Sequence, residues 1–318
     1  MSDTQAGARP TPWRWLRPAL GALVLGALVA RTGTAPFVAG LRMATPWSLL
    51  AAVAVTAVTT VCCAWRWQLV ADGLGVRIGL GAATAAIYRS QFLNATLPGG
   101  VVGDVDRAVG HARRSDAPGP AARSVAWERL LGQSVQVPLT VAVLLLLPSP
   151  LRGLGAVGAV AAVAVAALLL AGAHGVRRRT RLVRLVSSEA RAVLRGRRLP
   201  IGVASTVAAL GHLSIFVLAA RVAGVEASSV ALLPLASVVL LAAAVPLNVA
   251  GWGPREGIAA WAFGVAGLGV DTGVAVAVAY GVMALVATLP GAVVLLAGRA
   301  PRPRALRTPP VREEVACA

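Results

Sequence analysis

Lysine is absent from this chain: all 30 basic residues are arginine, set against only 12 acidic ones. Aromatic residues are scarce, at 4%, which removes the stacking platform that a single-stranded nucleic-acid binder interleaves with its basic groups. The net charge of +18 is therefore not read as a nucleic-acid footprint. The arginines cluster between apolar runs and at the termini, where basic residues orient a membrane protein and touch anionic lipid headgroups. Cysteine is nearly missing as well. Cys62 and Cys63 are adjacent within an apolar run and Cys317 lies near the C-terminus, so neither a disulfide framework nor a zinc site is supported. The chain carries no phosphate-binding glycine loop, no Ser–His–Asp set and no metal-ligand spacing. No cofactor and no metal are expected, and nucleic acid is excluded as a partner.

What remains is apolar. Hydrophobic residues make up 57% of the 318, charged residues only 13%, and the mean hydropathy is +0.76. A soluble fold of this length cannot bury so much apolar surface, so the composition predicts an all-α, polytopic transmembrane helix bundle. Runs long enough to span fall at roughly 15–31, 46–70, 79–97, 122–148, 152–174, 200–222, 228–248 and 272–298, with a shorter apolar stretch near 257–268, which amounts to about seven or eight membrane segments. The first follows Arg14 and Arg17, as a signal peptide would, but has no clear small-residue cleavage site and reads as an uncleaved helix. A linker with Arg31 and Arg42 precedes the second. Trp65 and Trp67, flanking Arg66, suit a membrane–water interface at which the guanidinium snorkels.

Between 177 and 198 stand nine arginines and one acid, Glu189. Under the positive-inside rule this stretch is cytoplasmic. The reading is one integral membrane domain at 15–298 in the cell membrane, with cytoplasmic termini. Residues 1–14 precede it, a basic cytoplasmic loop at 175–199 interrupts it, and a basic, Pro-rich tail at 299–318 follows, with the composition of a disordered segment.

Simple helix counting breaks the charge rule twice, and both conflicts fall at a helix break. The first break is "LNATLPGGVVGDVDRAVG", with Asn94, Pro98, Gly99, Gly100 and Gly103 ahead of Asp104, Asp106 and Arg107. The second is "PLNVAGWGPREG", with Pro246, Asn248, Gly251, Gly253 and Pro254 ahead of Arg255 and Glu256. In each, the arginine lies nine residues after the first proline. An extra pass or a re-entrant dip at each break restores the charge rule. Paired broken helices in two halves of a chain are where transporters place their sites, because irregular backbone at membrane depth must line a cavity or be buried in protein. The competing reading is two ordinary loops with solvated charges.

A third charged cluster, Glu128–Arg129, stands where a spanning helix enters the membrane. Arg107, Arg129 and Arg255 are candidates for binding or gating a lipid phosphate through the planar guanidinium fork. Asp104, Asp106, Glu128 and Glu256 are the candidate partner carboxylates, holding those arginines or carrying protons; alternatively the pairs only neutralise one another. Gln91, Gln133, Gln136, Asn94 and Asn248 fit either reading. Tyr88 and Arg89 lead into the first break as candidate wall residues. His111, His174 and His212 lack ligand-spaced neighbours and are assigned structural roles.

With these motifs in view, "SQFLNATLPGGVVGDVDRAVGHARR", "SVAWERLLG" and "PLNVAGWGPREGIAAWAFGVAGLG" together resemble the lysylphosphatidylglycerol synthase transmembrane region, or flippase-like domain, family. The family's pattern falls on Asn94, Leu97, Pro98, Gly99, Gly103, Asp104, Arg107 and Ala108, on Glu128 and Arg129, and on Gly251, Gly253, Arg255, Glu256 and Gly257. The carboxylate before Arg129 is usually Asp in the family; here it is Glu128. Bifunctional members carry a soluble aminoacyl-transferase domain after the membrane part, and this sequence has none, so the resemblance implies lipid handling without lysyl transfer. The leading expectation is a non-enzymatic protein that binds and flips an anionic phospholipid or a polyprenyl-phosphate-linked lipid in the bacterial envelope. A membrane subunit that recruits a glycosyltransferase or aminoacyl-transferase is the alternative. An intramembrane enzyme using Asp104 or Glu128 as base ranks last, since no activated nucleophile is visible.

Overall fold

The computed structural model describes residues 26, 29–30, 33–97, 100–153, 181–244 and 253–297. The predicted spans at 15–31 and 152–174, the tail, and Pro98, Gly99, Pro246, Asn248 and Gly251 lie wholly or mostly outside them. Every regular element among the described residues is an α-helix. In order they are α1 (Ala35–Met43), α2 (Pro46–Gly73), α3 (Leu80–Thr96), α4 (Val102–Ala112), α5 (Pro118–Leu146), α6 (Arg181–Leu194), α7 (Arg198–Val222), α8 (Ser229–Ala243), α9 (Pro254–Val265), α10 (Val270–Ala287) and α11 (Leu289–Leu296).

Among the described residues, four helical stretches are long and apolar enough to cross a bilayer: α2, α5, α7, and α10 with α11. The shortest has 25 residues, about 37 Å at 1.5 Å per residue, against a hydrocarbon core of about 30 Å. Their surface is inverted relative to a soluble protein: Leu146, Leu199 and Leu296 are more than three-quarters exposed while arginines are buried inside. That is the arrangement lipid demands of a bundle with a polar interior.

Both sequence breaks join helices packed as hairpins. α3 and α4 lie against each other, as do α8 and α9. In the first hairpin α4 runs back antiparallel to α3, since Asp106 meets Arg89, Asp104 meets Ser90, and Gly103 meets Asn94. The approach is close because position 103 has no side chain. A Cβ there would collide with the Ser90 carbonyl oxygen. Gly103→Ala is expected to pry the hairpin open and destabilise the protein by about 1–3 kcal/mol, read as a lower thermal midpoint in detergent. In the second hairpin Gly253, at φ 131°, turns the chain into α9, and Pro254 occupies the first helical position.

α2 and α7 pack along their length at the centre, and the second hairpin, α10 and α7 enclose the largest apolar core. Within it Phe216 packs against Phe263 and Tyr280, with ring centroids 6.5 and 5.6 Å apart. α11 packs on α3, and the first hairpin rests on α2 and α5.

Two sequence expectations need correction, and a third holds with a break inside it. The linker before the second span folds in part into α1, which packs on α10; Gly40 allows the backbones to approach. The basic stretch at 175–199 is not simply a loop, since its second half forms the amphipathic helix α6. That helix turns Val193 and Glu189 inward, where Glu189 accepts hydrogen bonds from Arg123 Nε (2.7 Å) and Trp127 Nε1 (2.9 Å) of α5. The last span is interrupted between α10 and α11, where Pro290 cannot continue the hydrogen-bond ladder.

Candidate functional site

α5 brings Glu128 to the centre of the bundle. The residue is 4% exposed, and its carboxylate holds two guanidinium groups, one on each oxygen. Oε1 accepts from Arg66 Nε (3.2 Å) and Nη2, and Oε2 accepts from Arg107 Nη2 at 2.8 Å. Arg66 also donates through Nη1 to Ser205 Oγ of α7 at 3.0 Å. One carboxylate thus ties together α2, α4 and α5, and Arg66 extends the tie to α7.

Arg107 continues the chain of charge. It also reaches Asp104 Oδ1 (3.3 Å), and Asp104 in turn pairs through Oδ2 with Arg129 Nη2. Charges therefore alternate from Arg66 through Glu128, Arg107 and Asp104 to Arg129. Asp104 is further held by Ser90 Oγ and Asn94 Nδ2, both at 3.1 Å. Asn94 does double duty: its Oδ1 accepts from the Gly103 N–H (2.8 Å), satisfying a donor in the first turn of α4 across the hairpin.

The Arg107 guanidinium lies 4.8 Å from the Trp67 ring centroid, a cation–π geometry, and His111 packs edge-on to the same indole at 5.2 Å. Trp67 donates its N–H to Ser124 Oγ (2.9 Å). His111 lies at the end of α4, outside the four spans. Burial, helped by Arg114 and Arg107, pushes its imidazole below the usual histidine pKa, so it is neutral at pH 7.

The second hairpin supplies the opposite wall. Glu256, fully buried, stands at the third position of α9 and accepts the Gly253 N–H on Oε2 at 2.6 Å. Its Oε1 accepts from Arg255 Nε and Nη2 at 2.8 and 2.6 Å. Arg255 lies 5.4 Å from the Tyr280 ring centroid. Asp104 occupies the same third position of α4 that Glu256 occupies in α9, so the two breaks match in detail: each starts a helix with a buried or half-buried acid in its first turn, where the helix dipole favours negative charge.

All three clusters line one cavity of about 380 Å³, which α2, α3, α5, α7 and α10 complete. That is within the roughly 300–1,000 Å³ of small-ligand sites. Asn94, Gly100, Asp104, Arg107, Glu128, Arg129, Pro254 and Arg255 reach its wall. Gly103, Gly253 and Glu256 sit immediately behind. Asp106 does not join them; it pairs with Arg89 at 2.7 Å on the half-exposed outer face of α4. Adjacent residues also do not pair in the third cluster. Glu128 and Arg129 point to different partners, because neighbours on a helix diverge by about 100°.

Arg66 and Trp67 are the residues that sequence reasoning misplaced. They are 6% and 1% exposed, not at a membrane interface. α2 continues to Gly73, about two turns beyond Arg66, and Glu128 offers a counter-charge inside. Only Trp65 keeps the outward position expected of it, and it is 37% exposed. The overlooked signal was a lone charge within an otherwise apolar span. His212, assigned a structural role, lines the cavity, its Nδ1 3.4 Å from the Tyr280 hydroxyl.

Among the described residues, four arginines line the cavity (Arg66, Arg107, Arg129, Arg255) against two lining carboxylates (Asp104, Glu128) and Glu256 just behind the wall. The site is left cationic, in a setting where an uncompensated charge costs several kcal/mol. Residues 14–291 match the family model described as Lysylphosphatidylglycerol synthase TM region. No curated protein matches the chain.

Proposed function

The chain belongs to the lysylphosphatidylglycerol synthase TM region family, and from that premise we propose that this integral membrane protein binds the phosphate of an anionic lipid in its arginine-lined cavity and carries the headgroup across the bilayer. The observation that carries the reading is the excess of arginine in a cavity walled by both helical hairpins. An anion supplies the missing charge, and guanidinium forks bind phosphate oxygens in pairs. Arg129, with 45% of its side chain exposed, meets the headgroup first; Arg107 and Arg66 are locked more deeply by Glu128. The cycle requires no bond to be made or broken and no nucleotide. The arginines of 177–198 and of both termini hold those segments at the cytoplasmic face of the cell membrane.

The test is reconstitution of the purified chain in phosphatidylcholine liposomes carrying an acyl-labelled phosphatidylglycerol, with a membrane-impermeant quencher outside. Inner-leaflet probe is expected to become accessible only in vesicles that contain protein. Arg129→Ala and Arg255→Ala are each expected to cut the rate about 10- to 100-fold, the worth of one charged hydrogen-bonded contact. Movement no faster than in protein-free vesicles overturns the proposal, as does movement indifferent to both substitutions. Lipid binding without movement favours an accessory subunit for an envelope transferase.

A further inference from the structure

The cavity does not end at the arginines. A second one of about 210 Å³ continues from it, and the two share Arg129, Gln133, Gln136, His212 and Tyr280 along their walls. The continuation follows one face of α5. Arg129, Gln133, Gln136 and Thr140 recur at four, three and four residues, which is the spacing of a single helical stripe, and they run about 16 Å along the axis. Beyond the shared wall, the second cavity is lined by Leu139, Leu213 and Leu240 with Thr140 and Ser237, so its polar groups lie mainly along the shared seam.

The chemistry of this extension differs from that of the arginine cluster. Among the described residues lining it, Arg129 is the one charged side chain, and no carboxylate is present. The Gln133 and Gln136 amides make no side-chain hydrogen bond to another described residue, so each offers two donors and two acceptor sites to whatever fills the space. Imidazole and phenol add two more polar groups. Hydroxyl groups both donate and accept, and amides match them well. An ammonium group would need an acid here and would instead meet the field of the arginines. A bare phosphomonoester would leave the amides unmatched.

Resting on the lipid-handling reading above, we propose that the two cavities form one bipartite headgroup site: the arginines take the phosphodiester, and the Gln133–Gln136–His212 seam takes an uncharged polyol esterified to it, such as glycerol, inositol or a sugar. The site thereby prefers anionic lipids with neutral polyhydroxyl headgroups. It discriminates against cationic aminoacylated headgroups on one side and against phosphatidic acid on the other.

The experiment compares acyl-labelled phosphatidylglycerol, phosphatidylinositol, phosphatidic acid and an aminoacylated phosphatidylglycerol, each in separate phosphatidylcholine vesicles holding the full chain. The two polyol lipids are expected to move about tenfold faster than either of the others. Gln133→Leu and Gln136→Leu, of near-equal volume, are expected to slow the polyol lipids about tenfold more than they slow phosphatidic acid, with the thermal midpoint intact. Equal rates for all anionic probes, fastest movement of the aminoacylated lipid, or uniform slowing of every probe by the Gln substitutions overturns the bipartite site and leaves lipid handling standing. Uptake of soluble glycerol phosphate in place of lipid movement also overturns it. Movement of no probe overturns lipid handling itself and the bipartite site with it.

Discussion

Glu128→Gln is expected to destabilise the protein by about 3–5 kcal/mol, the cost of leaving a buried charge without its partner. The carboxylate is the meeting point of Arg66 and Arg107, and all three side chains are less than 7% exposed as residues. Glutamine keeps the shape and one acceptor but removes the negative charge that makes two buried guanidiniums tolerable. The surrounding lipid offers no hydrogen-bond partner in exchange. The check is the thermal unfolding midpoint of the detergent-purified protein, together with the monodisperse fraction on size exclusion. Adding Arg66→Met to Glu128→Gln is expected to recover part of the loss, since one orphaned cation is then gone while Arg107 still has Asp104 and the Trp67 face. An unchanged midpoint in the single variant would show that the cluster is hydrated rather than held by Glu128.

Substitution at Glu256 separates two duties of one side chain. Its Oε2 caps the α9 N-terminus through Gly253, and its Oε1 neutralises and orients Arg255. Glu256→Ala removes both and is expected to cost about 3–5 kcal/mol, because the nearly buried Arg255 loses its carboxylate and α9 loses its cap. Glu256→Gln keeps a cap acceptor but no counter-charge, and is expected to cost less than the alanine variant by about 1 kcal/mol, the worth of the retained cap. Both variants are expected to lose lipid movement, since Arg255 is no longer aimed across the cavity from Arg129. Equal stability losses in the two would assign the whole effect to the lost counter-charge and none to the cap. Retained movement in the glutamine variant would remove Arg255 orientation from the mechanism.

The sequence was readable where one physical rule dominates. Hydropathy and run length located α2, α5, α7 and the α10–α11 stretch to within a few residues, because the solvent change at a bilayer is large and periodicity is not needed to see it. Proline and glycine located both breaks, because their backbone limits are local. The amphipathic α6 and the short α1 were missed because each depends on a partner: α6 forms over α2 and α5, and α1 against α10. Arg66 was misread for a related reason. Flanking tryptophans are a statistical sign of an interface, whereas an intrahelical arginine goes wherever its counter-ion is, and Glu128 lies 62 residues away.

By itself, then, the sequence determined that the chain is a helical membrane protein, that it breaks twice, and that each break carries an arginine and an acid. Those follow from composition and local stereochemistry. Only the tertiary structure decided which acid holds which arginine. It sent Glu128 to Arg66 and Arg107, gave Arg129 to Asp104, excluded Asp106, and set both hairpins around one cavity with an amide-lined extension. Pairing is decided by distance in space: Arg255 and Glu256 pair as neighbours, but Glu128 and Arg129 diverge by about 100° on their helix, so their partners on other helices could not be read along the chain.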